Sequence, residues 1–263
     1  MTVSTDELLV DQEGPVLTVT FNRPAQRNAM TFGMYEALVA ACERADTLAA
    51  TGDVRVMVLQ GAGDKAFVAG TDITQFAAFS SGDDGIAYEQ RIAHVLDRLE
   101  EVSVPTVAAV RGFCVGGGLA LAAVCDLRVA TDSARFGVPI ARTLGNCLSM
   151  NTHSLLVAHL GPARTLDVLL RARLLTGEEA YAAGFVAELC ADDALEATTA
   201  AVVAELASHA PLSMWAAKTA VARLRRAQLP DGDDIVRRVF GSEDFHRAVA
   251  AFSAKEPMQW KGS

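Results

Sequence analysis

Apolar and polar positions follow two patterns along the chain, and each predicts a different element. Short apolar runs rich in valine are typical of buried strands, whereas longer runs with apolar positions three or four apart are typical of helices. The sequence predicts strands over 8–10, 16–21, 53–60, 104–110 and 127–130, and helices over 32–49, 86–101 and 119–125. A loop is predicted over 80–85. Because strands alternate with helices, we expect an α/β core with parallel strand pairing.

The pattern changes near residue 195, where the predicted strands end and three helices are predicted over 194–208, 211–227 and 235–253. We therefore divide the chain into a core over 1–200 and a C-terminal helical region over 201–263. The helical region has more apolar side chains than one small helical unit can bury, and this excess predicts an oligomer. These side chains are Leu212, Met214, Trp215, Val221, Val236, Val239, Phe240, Phe245, Val249 and Phe252.

Composition and charge narrow the classes of partner. The 263 residues, 51% hydrophobic and 21% charged, suit one globular domain or one domain with a helical appendage. The net charge of −9 argues against nucleic acid as a partner, since a phosphate backbone requires clustered lysine and arginine. The longest uncharged apolar stretch, 112–125, is too short and too rich in glycine to span a bilayer, so no membrane association is expected.

The cysteines and histidines indicate neither disulfides nor a metal site. The five cysteines occur singly in apolar surroundings, which is typical of free thiols in a reducing cytoplasm. The N-terminal segment is polar and acidic and has no secretory signal pattern, so a cytoplasmic location is expected. The five histidines show no metal-motif spacing, and no metal is expected.

Three consecutive glycines, Gly116-Gly117-Gly118, lie between the predicted strand 104–110 and the predicted helix 119–125. Glycine lowers stability unless the backbone must approach something closely. At a helix start, its N–H groups face an anion such as a phosphate or a developing oxyanion. No Lys-Ser or Lys-Thr follows, and Leu121 breaks the dinucleotide pattern, so neither a P-loop nor a Rossmann site is predicted. Close helix–strand packing is the alternative explanation.

A second glycine-rich turn extends over 61–73, after the predicted strand 53–60. In this turn Gly70 directly precedes Thr71 and Asp72. Two such turns can each supply one backbone N–H to a single carbonyl oxygen, which is the arrangement of an oxyanion hole.

Short motifs occur along the chain in a characteristic order. They are FNRP at 21–24, RNAM at 27–30, AFVAGTDI at 66–73, PTVAAVRG at 105–112, GGG at 116–118, CDLRVA at 125–130, ARFG at 134–137, AYAAG at 180–184 and SEDF at 242–245. In order and spacing, they resemble the crotonase (enoyl-CoA hydratase/isomerase) superfamily over nearly the whole chain. The resemblance implies an α/β fold: a crotonase-like ββα spiral core with a C-terminal helical trimerisation region. It also implies an acyl-CoA thioester as substrate, coenzyme A as part of that substrate, no separate cofactor, and a homotrimer or dimer of trimers.

The resemblance further implies that the N–H groups of Thr71 and Gly117 form the oxyanion hole. In the hydratase branch two glutamates handle the water and the proton, and the matching positions in this chain are Ala120 and Ile140. Neither side chain can hold a proton or orient water, so hydratase activity is expected to be very weak. Two function classes stay open: an enzyme that processes acyl-CoA thioesters with other side chains, and an acyl-CoA-binding or assembly protein that has lost the chemistry.

The place of coenzyme A is also implied by the resemblance. Backbone groups of the segment 69–73 are expected to contact the ligand, basic side chains to lie near its phosphates, and the last helix to reach the nucleotide of a neighbouring subunit. The corresponding residues are Ala69, Asp72 and Ile73 for the segment, Arg23 and Lys65 for the phosphates, and Phe252 and Lys255 for the last helix.

The segment 141–153 matches the family's active-site loop and contains the polar candidates for acid–base work. Arg142 can bind a substrate carboxylate or form a surface ion pair. Asn146 can hydrogen-bond to substrate or water, or shape the turn at its position. His153 can act as a base or serve as a structural histidine. No base can be placed beside Cys147, so the sequence does not favour a cysteine nucleophile.

Overall fold

The computed structural model of the chain describes residues 5–227, 229–254 and 256–263. Within these ranges the strands are β1 (Leu8–Glu13), β2 (Val16–Phe21), β3 (Val56–Gly61), β4 (Ala66–Ala69), β5 (Thr106–Val110), β6 (Phe113–Val115), β7 (Leu127–Thr131), β8 (Arg135–Gly137), β9 (Leu174–Thr176) and β10 (Glu188–Cys190). The α-helices are α1 (Phe32–Thr51), α2 (Gly82–Glu100), α3 (Gly117–Val124), α4 (Ile140–Thr143), α5 (Met150–Leu170), α6 (Gly177–Ala182), α7 (Leu195–Ser208), α8 (Pro211–Arg226), α9 (Asp233–Phe240) and α10 (Glu243–Ala254).

The larger sheet has six strands in the order β1-β2-β3-β5-β7-β10, and all neighbours except the β1–β2 hairpin are parallel. Every residue of β5 is buried. Its alternate side chains Val107 and Ala109 pack against Leu195 and Val203 of α7, while Ala108 and Val110 face the main core. A strand covered on both faces requires apolar side chains throughout, which explains the continuous run in the sequence.

The smaller sheet has four strands in the order β4-β6-β8-β9, with β4, β6 and β8 parallel. These strands have only three or four residues each and were not predicted from the sequence. Such short segments are stable only through pairing with their neighbours, so their own residue pattern carries little information. The alternation of two sheets with intervening helices agrees with the expected ββα arrangement.

Helix α2 begins four residues before the predicted start at residue 86, at Gly82, and the predicted loop is its first turn. Ser81 and Asp84 form a capping box, in which each side chain bonds to the backbone N–H of the other residue. The two glycines that suggested a loop are packing positions, since a Cβ on Gly85 would lie 2.3 Å from the Phe240 side chain.

The C-terminal region also differs from the prediction. The single helix predicted over 235–253 is two helices, α9 and α10, which are separated at Gly241 and Ser242. Four of the apolar side chains that we assigned to an oligomer surface are buried within the chain: Val236, Phe240, Phe245 and Val249. They pack against α2 and the segment before it, where the rings of Phe76, Phe79, Tyr88, Phe240 and Phe245 form an aromatic cluster.

Helix α8 retains an exposed apolar surface. Leu212, Val221 and Leu224 have 77%, 68% and 79% of their surface exposed, and Trp215 is also exposed. The helix is attached to the core by ion pairs, among them Arg225 with Glu100 at 2.8 Å. In the part of the chain that the structure describes, no helix combines the length and apolar character needed to span a bilayer.

Candidate active site

The site lies where the three parallel strands of the smaller sheet end. Their register aligns Ala69 of β4 with Val115 of β6, and Val115 with Gly137 of β8. Because the carboxyl ends of parallel strands meet at one edge, the residues that follow each strand come together there. A cavity of about 350 Å³ opens at this edge and is lined by Thr71, Gly117 and Ile140, one residue from each of the three turns.

Two backbone N–H groups at this edge are available to a ligand. Met30 forms a parallel bridge with Thr71, in which Met30 N–H donates to the Gly70 carbonyl at 2.9 Å and Asp72 N–H donates to the Met30 carbonyl at 2.9 Å. In this geometry the Thr71 N–H points to the opposite side. Gly117 is the first residue of α3, so its N–H has no acceptor within the helix. Among the described residues, neither N–H has a backbone acceptor.

The two turns are in contact, which brings these donors together. A Cβ on Gly117 would lie 3.5 Å from Thr71 Oγ1 and 2.7 Å from the Tyr35 hydroxyl. Gly116 has φ +58°, which favours glycine, and a Cβ on Gly118 would lie 2.1 Å from the Val68 carbonyl oxygen. Close helix–strand packing thus explains Gly118. The positive φ of the turn explains Gly116, and the N–H without a backbone acceptor explains Gly117.

Replacement of Gly118 by alanine is expected to destabilise the protein by about 1–3 kcal/mol, because the added methyl must displace either α3 or the backbone of β4. Urea denaturation measures this change. Gly33→Ala in the first turn of α1 is the matched control, since the nearest atom to its Cβ is 3.9 Å away. The control is expected to be neutral or stabilising by up to about 1 kcal/mol, the helix propensity gained. Equal destabilisation of both variants would contradict the packing assignment.

A cluster of three hydroxyl groups holds the Thr71 side chain. Thr71 Oγ1 is hydrogen-bonded to the Tyr35 hydroxyl at 2.9 Å and to the Tyr88 hydroxyl at 2.7 Å. Burial raises the pKa of Tyr35 to about 12 and also raises the pKa of Tyr88, so both phenols are neutral at physiological pH. The cluster anchors the turn that carries one of the two N–H donors.

Arg23 and Asp72 brace the same turn from outside the cavity. The Arg23 guanidinium contacts Asp72 at 3.0 Å, Glu7 at 3.1 Å and the Ala29 carbonyl at 2.7 Å, so all three nitrogens have protein acceptors. Burial opposes ionisation of Asp72, but hydrogen bonds from Thr74 and Arg23 outweigh it and hold its pKa below the usual range. The nitrogens of Arg23 are thus engaged within the protein, and its predicted place near the phosphates stays a prediction.

At its other end, α3 is held by a buried arginine. Arg128 donates to the carbonyls of Cys125 at 2.7 Å and Ala122 at 3.1 Å. A positive charge at the C-terminus of a helix is favourable, and here it satisfies carbonyls that lack helical partners. The first turn of α3 is therefore positioned by a helix that is fixed at both ends.

Only some of the remaining predicted site residues line the cavity. Ala69, Ile73, Asn146 and Phe252 line the cavity, as do Ala120 and Ile140. The Asn146 Oδ1 is buried and has no hydrogen-bond partner among the described residues. Lys255 lies outside the described residues. Lys65 is exposed just before β4, a strand length of about 13 Å from the site edge.

Arg142 and His153 are not brought into the cavity. Arg142 is exposed on α4. The Nδ1 of His153 is 3.0 Å from the Ser149 carbonyl, and its ring lines a separate groove with Val157 and Leu166. Neither residue is among those that line the cavity, and a role for either beside the substrate stays a prediction.

Two charged residues that line the cavity were missed by the sequence-based prediction. Arg27 has φ +52°, and its guanidinium lies 5.0 Å from the ring centroid of Phe113, another lining residue. Glu89 on α2 is 6% exposed and accepts a hydrogen bond from the Ser149 N–H at 2.8 Å. The burial of Glu89 could have been predicted from the sequence, because Glu89 falls on the apolar face of α2 that includes Ile86, Ile92 and Leu96.

The ionisation of Glu89 is perturbed by its surroundings. Burial raises its pKa to about 7, and hydrogen bonds from Ser149 oppose that rise only in part. Burial also raises the pKa of Cys147 to about 12, with a further contribution from the Glu89 charge. The Cys147 thiol is therefore neutral near pH 7, which agrees with the expectation that it is not a nucleophile.

Residues 11–263 match the family model described as enoyl-CoA hydratase/isomerase. A probable enoyl-CoA hydratase of Rhizobium meliloti (strain 1021) is 33% identical over 98% of this chain and 99% of its own length. The chain belongs to the crotonase superfamily. The crystal structure of an enoyl-CoA hydratase/carnithine racemase from Magnetospirillum magneticum superposes with a TM-score of 0.79 at 33% identity, covering 99% of this chain and 97% of that one.

The fold is shared more widely within the superfamily. A methylmalonyl-CoA decarboxylase in complex with 2-nitronate-propionyl-CoA superposes with a TM-score of 0.89 at 22% identity, covering 99% of this chain and 100% of that one. At this identity the likeness shows the fold alone. The expected crotonase fold and family are confirmed, and the protein is an acyl-CoA-processing enzyme of the enoyl-CoA hydratase/isomerase family.

Proposed function

We propose that this enzyme polarises the carbonyl of an acyl-CoA thioester between the N–H groups of Thr71 and Gly117. The observation that carries the proposal is the convergence of two N–H groups without backbone acceptors at the carboxyl ends of β4 and β6. Two fixed donors stabilise the oxyanion that forms when the α-carbon of a thioester loses a proton. The intermediate that these two donors would stabilise is thus an enolate.

The acyl chain would extend into an apolar part of the cavity. Ala120 and Ile140, at the two positions of the hydratase glutamates, line it together with Ile92 and Leu148. These walls exclude ordered water from the α- and β-carbons, so we propose that water addition is a minor activity. The name of the Rhizobium meliloti relative supports an enoyl or related acyl thioester as the substrate class.

Coenzyme A would enter across the segment 69–73, where Ala69 and Ile73 line the cavity. We assign the basic contact near its phosphates to Arg27 rather than Arg23, since Arg27 faces the cavity and, within the described ranges, has no carboxylate partner. Phe252 lines the mouth, and Lys255 after it is retained as a candidate contact with the nucleotide.

The proposal is tested with a panel of acyl-CoA thioesters in D₂O, followed by mass spectrometry. We expect binding by calorimetry at micromolar to millimolar concentration, and incorporation of deuterium at the α-carbon of bound thioesters. Absence of binding at millimolar concentration would overturn the proposal. Binding with neither deuterium incorporation nor conversion of any thioester would favour the second function class, an acyl-CoA-binding or assembly protein.

We also propose that the core 1–200 and the helical region 201–263 assemble into a homotrimer or a dimer of trimers in the cytoplasm. The exposed apolar surface of α8 supports the assembly, and the free thiols of Cys42, Cys114 and Cys125 suit a reducing compartment.

The double variant Val221→Asp/Leu224→Asp is expected to sediment as a monomer at micromolar concentration, whereas the unaltered chain sediments as a trimer or hexamer. Charged side chains cannot be buried unpaired in an apolar interface, and both positions are exposed in the single chain, so its fold should be retained. Circular dichroism checks the fold. A monomeric unaltered chain would contradict the assembly.

A further inference from the structure

The cavity has one acidic group in its wall. Among the described residues that line it, Glu89 is the only carboxylic acid, and Arg27 is the only cation. Glu89 belongs to α2, whereas Ala120 lies on α3 and Ile140 on α4. A carboxyl group therefore faces the site from a position other than the two glutamate positions that this chain lacks.

The contacts of Glu89 hold it in place without neutralising it. Ser149, at the start of α5, donates its N–H to Oε2 at 2.8 Å. No lysine, arginine or histidine of the described ranges forms an ion pair with it. A structural role as a salt-bridge partner is thus absent, and a buried carboxyl without a cation is costly unless the site uses it.

The titratable neighbours of Glu89 stay neutral over the physiological range. Tyr35 of α1, Tyr88 of α2 and Cys147 of the loop before α5 all interact with its charge, and burial raises the pKa of each of them. Among the described residues, Arg27 is the other charged group of the cavity wall. A change in activity near pH 7 therefore reports the ionisation of Glu89 itself.

A single carboxyl group can complete one kind of reaction on an enolate. The carboxylate removes a proton from C2, and the C–H electron pair forms the enolate, whose oxygen accepts hydrogen bonds from Thr71 and Gly117. When the substrate has a double bond between C3 and C4, the neutral carboxylic acid then returns the proton to C4, and the double bond moves to C2 and C3. The proton taken equals the proton returned, and neither water nor a second acid is required.

We propose that Glu89 is the general acid and base of this site, and that β,γ-unsaturated acyl-CoA thioesters, converted to their α,β isomers, are its preferred substrates. The proposal rests on the proposed oxyanion hole. Water addition would instead need a group to hold the water and a group to protonate the other carbon, and the walls at Ala120 and Ile140 offer neither.

The test uses trans-3-hexenoyl-CoA in D₂O, with the conjugated product followed by absorbance and deuterium by mass spectrometry. Glu89→Gln keeps the acceptor for Ser149 N–H but cannot carry a proton. We expect kcat to fall about 10²–10⁴-fold, with little change in the calorimetric affinity for the thioester. Glu178→Gln, at an exposed glutamate of α6, is the control and is expected to keep the original rate.

The pH profile is the second measurement. The kcat/KM of the unaltered enzyme is expected to rise with pH through about 7, where Glu89 becomes a carboxylate. Glu89→Gln should lose this dependence together with the rate. A variant that keeps both would overturn the assignment of Glu89, as would hydration of 2-enoyl thioesters that is faster than isomerisation.

Stability provides a check that does not depend on turnover. The folded-state pKa of about 7 lies above the value of 4.5 for an unperturbed glutamate. The folded protein therefore holds a proton that the unfolded chain releases, and its stability declines as pH rises from about 4.5 to 7. Glu89→Gln should remove this decline, so its midpoint of urea unfolding above pH 7 should be higher than that of the unaltered protein. If the two proteins differed by the same amount at pH 4.5 and at pH 7, the pKa of Glu89 would not be raised, and the proposal would be overturned.

The two proposals fail in different ways. If no thioester binds, or if the unaltered enzyme neither forms the conjugated product nor incorporates deuterium at C2, the oxyanion-hole function fails and the role of Glu89 with it. If the unaltered enzyme and Glu89→Gln incorporate deuterium at the same rate, the oxyanion hole stands and only Glu89 is excluded.

Discussion

This enzyme is expected to hydrate crotonyl-CoA about 10²–10⁴-fold more slowly than an enzyme with two catalytic glutamates. Because both groups are missing, we expect the reduction in rate to lie near the upper end of this range. Ala120 and Ile140, which the family resemblance matches to the two hydratase glutamates, line the cavity and can neither orient water nor deliver a proton. Steady-state kinetics with crotonyl-CoA measures the deficit directly. A turnover of about 1–10³ per second, typical of enzymes, would show that another group performs hydration.

Restoring the glutamates gives the sharper form of this prediction. Ala120→Glu/Ile140→Glu should raise hydration more than the sum of the single variants, because paired catalytic groups act together. Ala120→Gln/Ile140→Gln has nearly the same volume and no ionisable proton, so it controls for the space that the longer side chains fill. If the glutamine pair raised hydration as much as the glutamate pair, acid–base chemistry would not be the missing factor.

Removal of the Gly117 N–H is expected to lower turnover about 10²–10³-fold, the loss typical of one oxyanion-hole donor. Gly117 is the first residue of α3, where proline fits a helix well because the N–H it lacks has no helical acceptor. The added ring would approach the Tyr35 hydroxyl, which lies 2.7 Å from a Cβ at this position. The variant is therefore made as Gly117→Pro in a Tyr35→Phe background.

Two controls separate the lost donor from the added bulk. Tyr35→Phe alone removes one hydrogen bond to Thr71 and should cost less than the loss of the donor. Gly117→Ala in the same background adds a methyl but keeps the N–H, so most of the activity should remain. If the alanine and proline variants lost activity equally, the steric change rather than the missing donor would be responsible, and the oxyanion hole would have to be placed elsewhere.

The results on hydration and on the backbone donor also decide between the two function classes. An enzyme that uses the oxyanion hole without the family glutamates should hydrate crotonyl-CoA poorly and still exchange α-protons in a way that depends on Gly117. A protein that only binds acyl-CoA should show neither activity, although it would retain affinity for thioesters. The buried Glu89 in the cavity wall favours the first class.

Local residue patterns were enough to predict most strands of the larger sheet, the two glycine-rich turns and the residues at the motif positions. The apolar runs predicted most strands of the larger sheet, because every residue of β5 and most residues of β3 and β7 are buried, which favours apolar side chains. The glycine turns and their family motifs predicted Thr71 and Gly117 as neighbours. The absence of two carboxylates was also readable, since it requires only the identity of the residues at two motif positions.

Tertiary structure decided which other side chains meet those turns. Strands β4, β6 and β8 exist only through mutual pairing, so their residues gave no periodic signal. Arg23 pairs with Glu7 and Asp72, contacts that the sequence did not predict, because the fold brings these two carboxylates to it. Glu89 was overlooked because the function of a polar residue on an apolar helix face depends on what the helix packs against. That contact is set by the packing of α2 against α1, α3 and α9, a long-range interaction that no local pattern records.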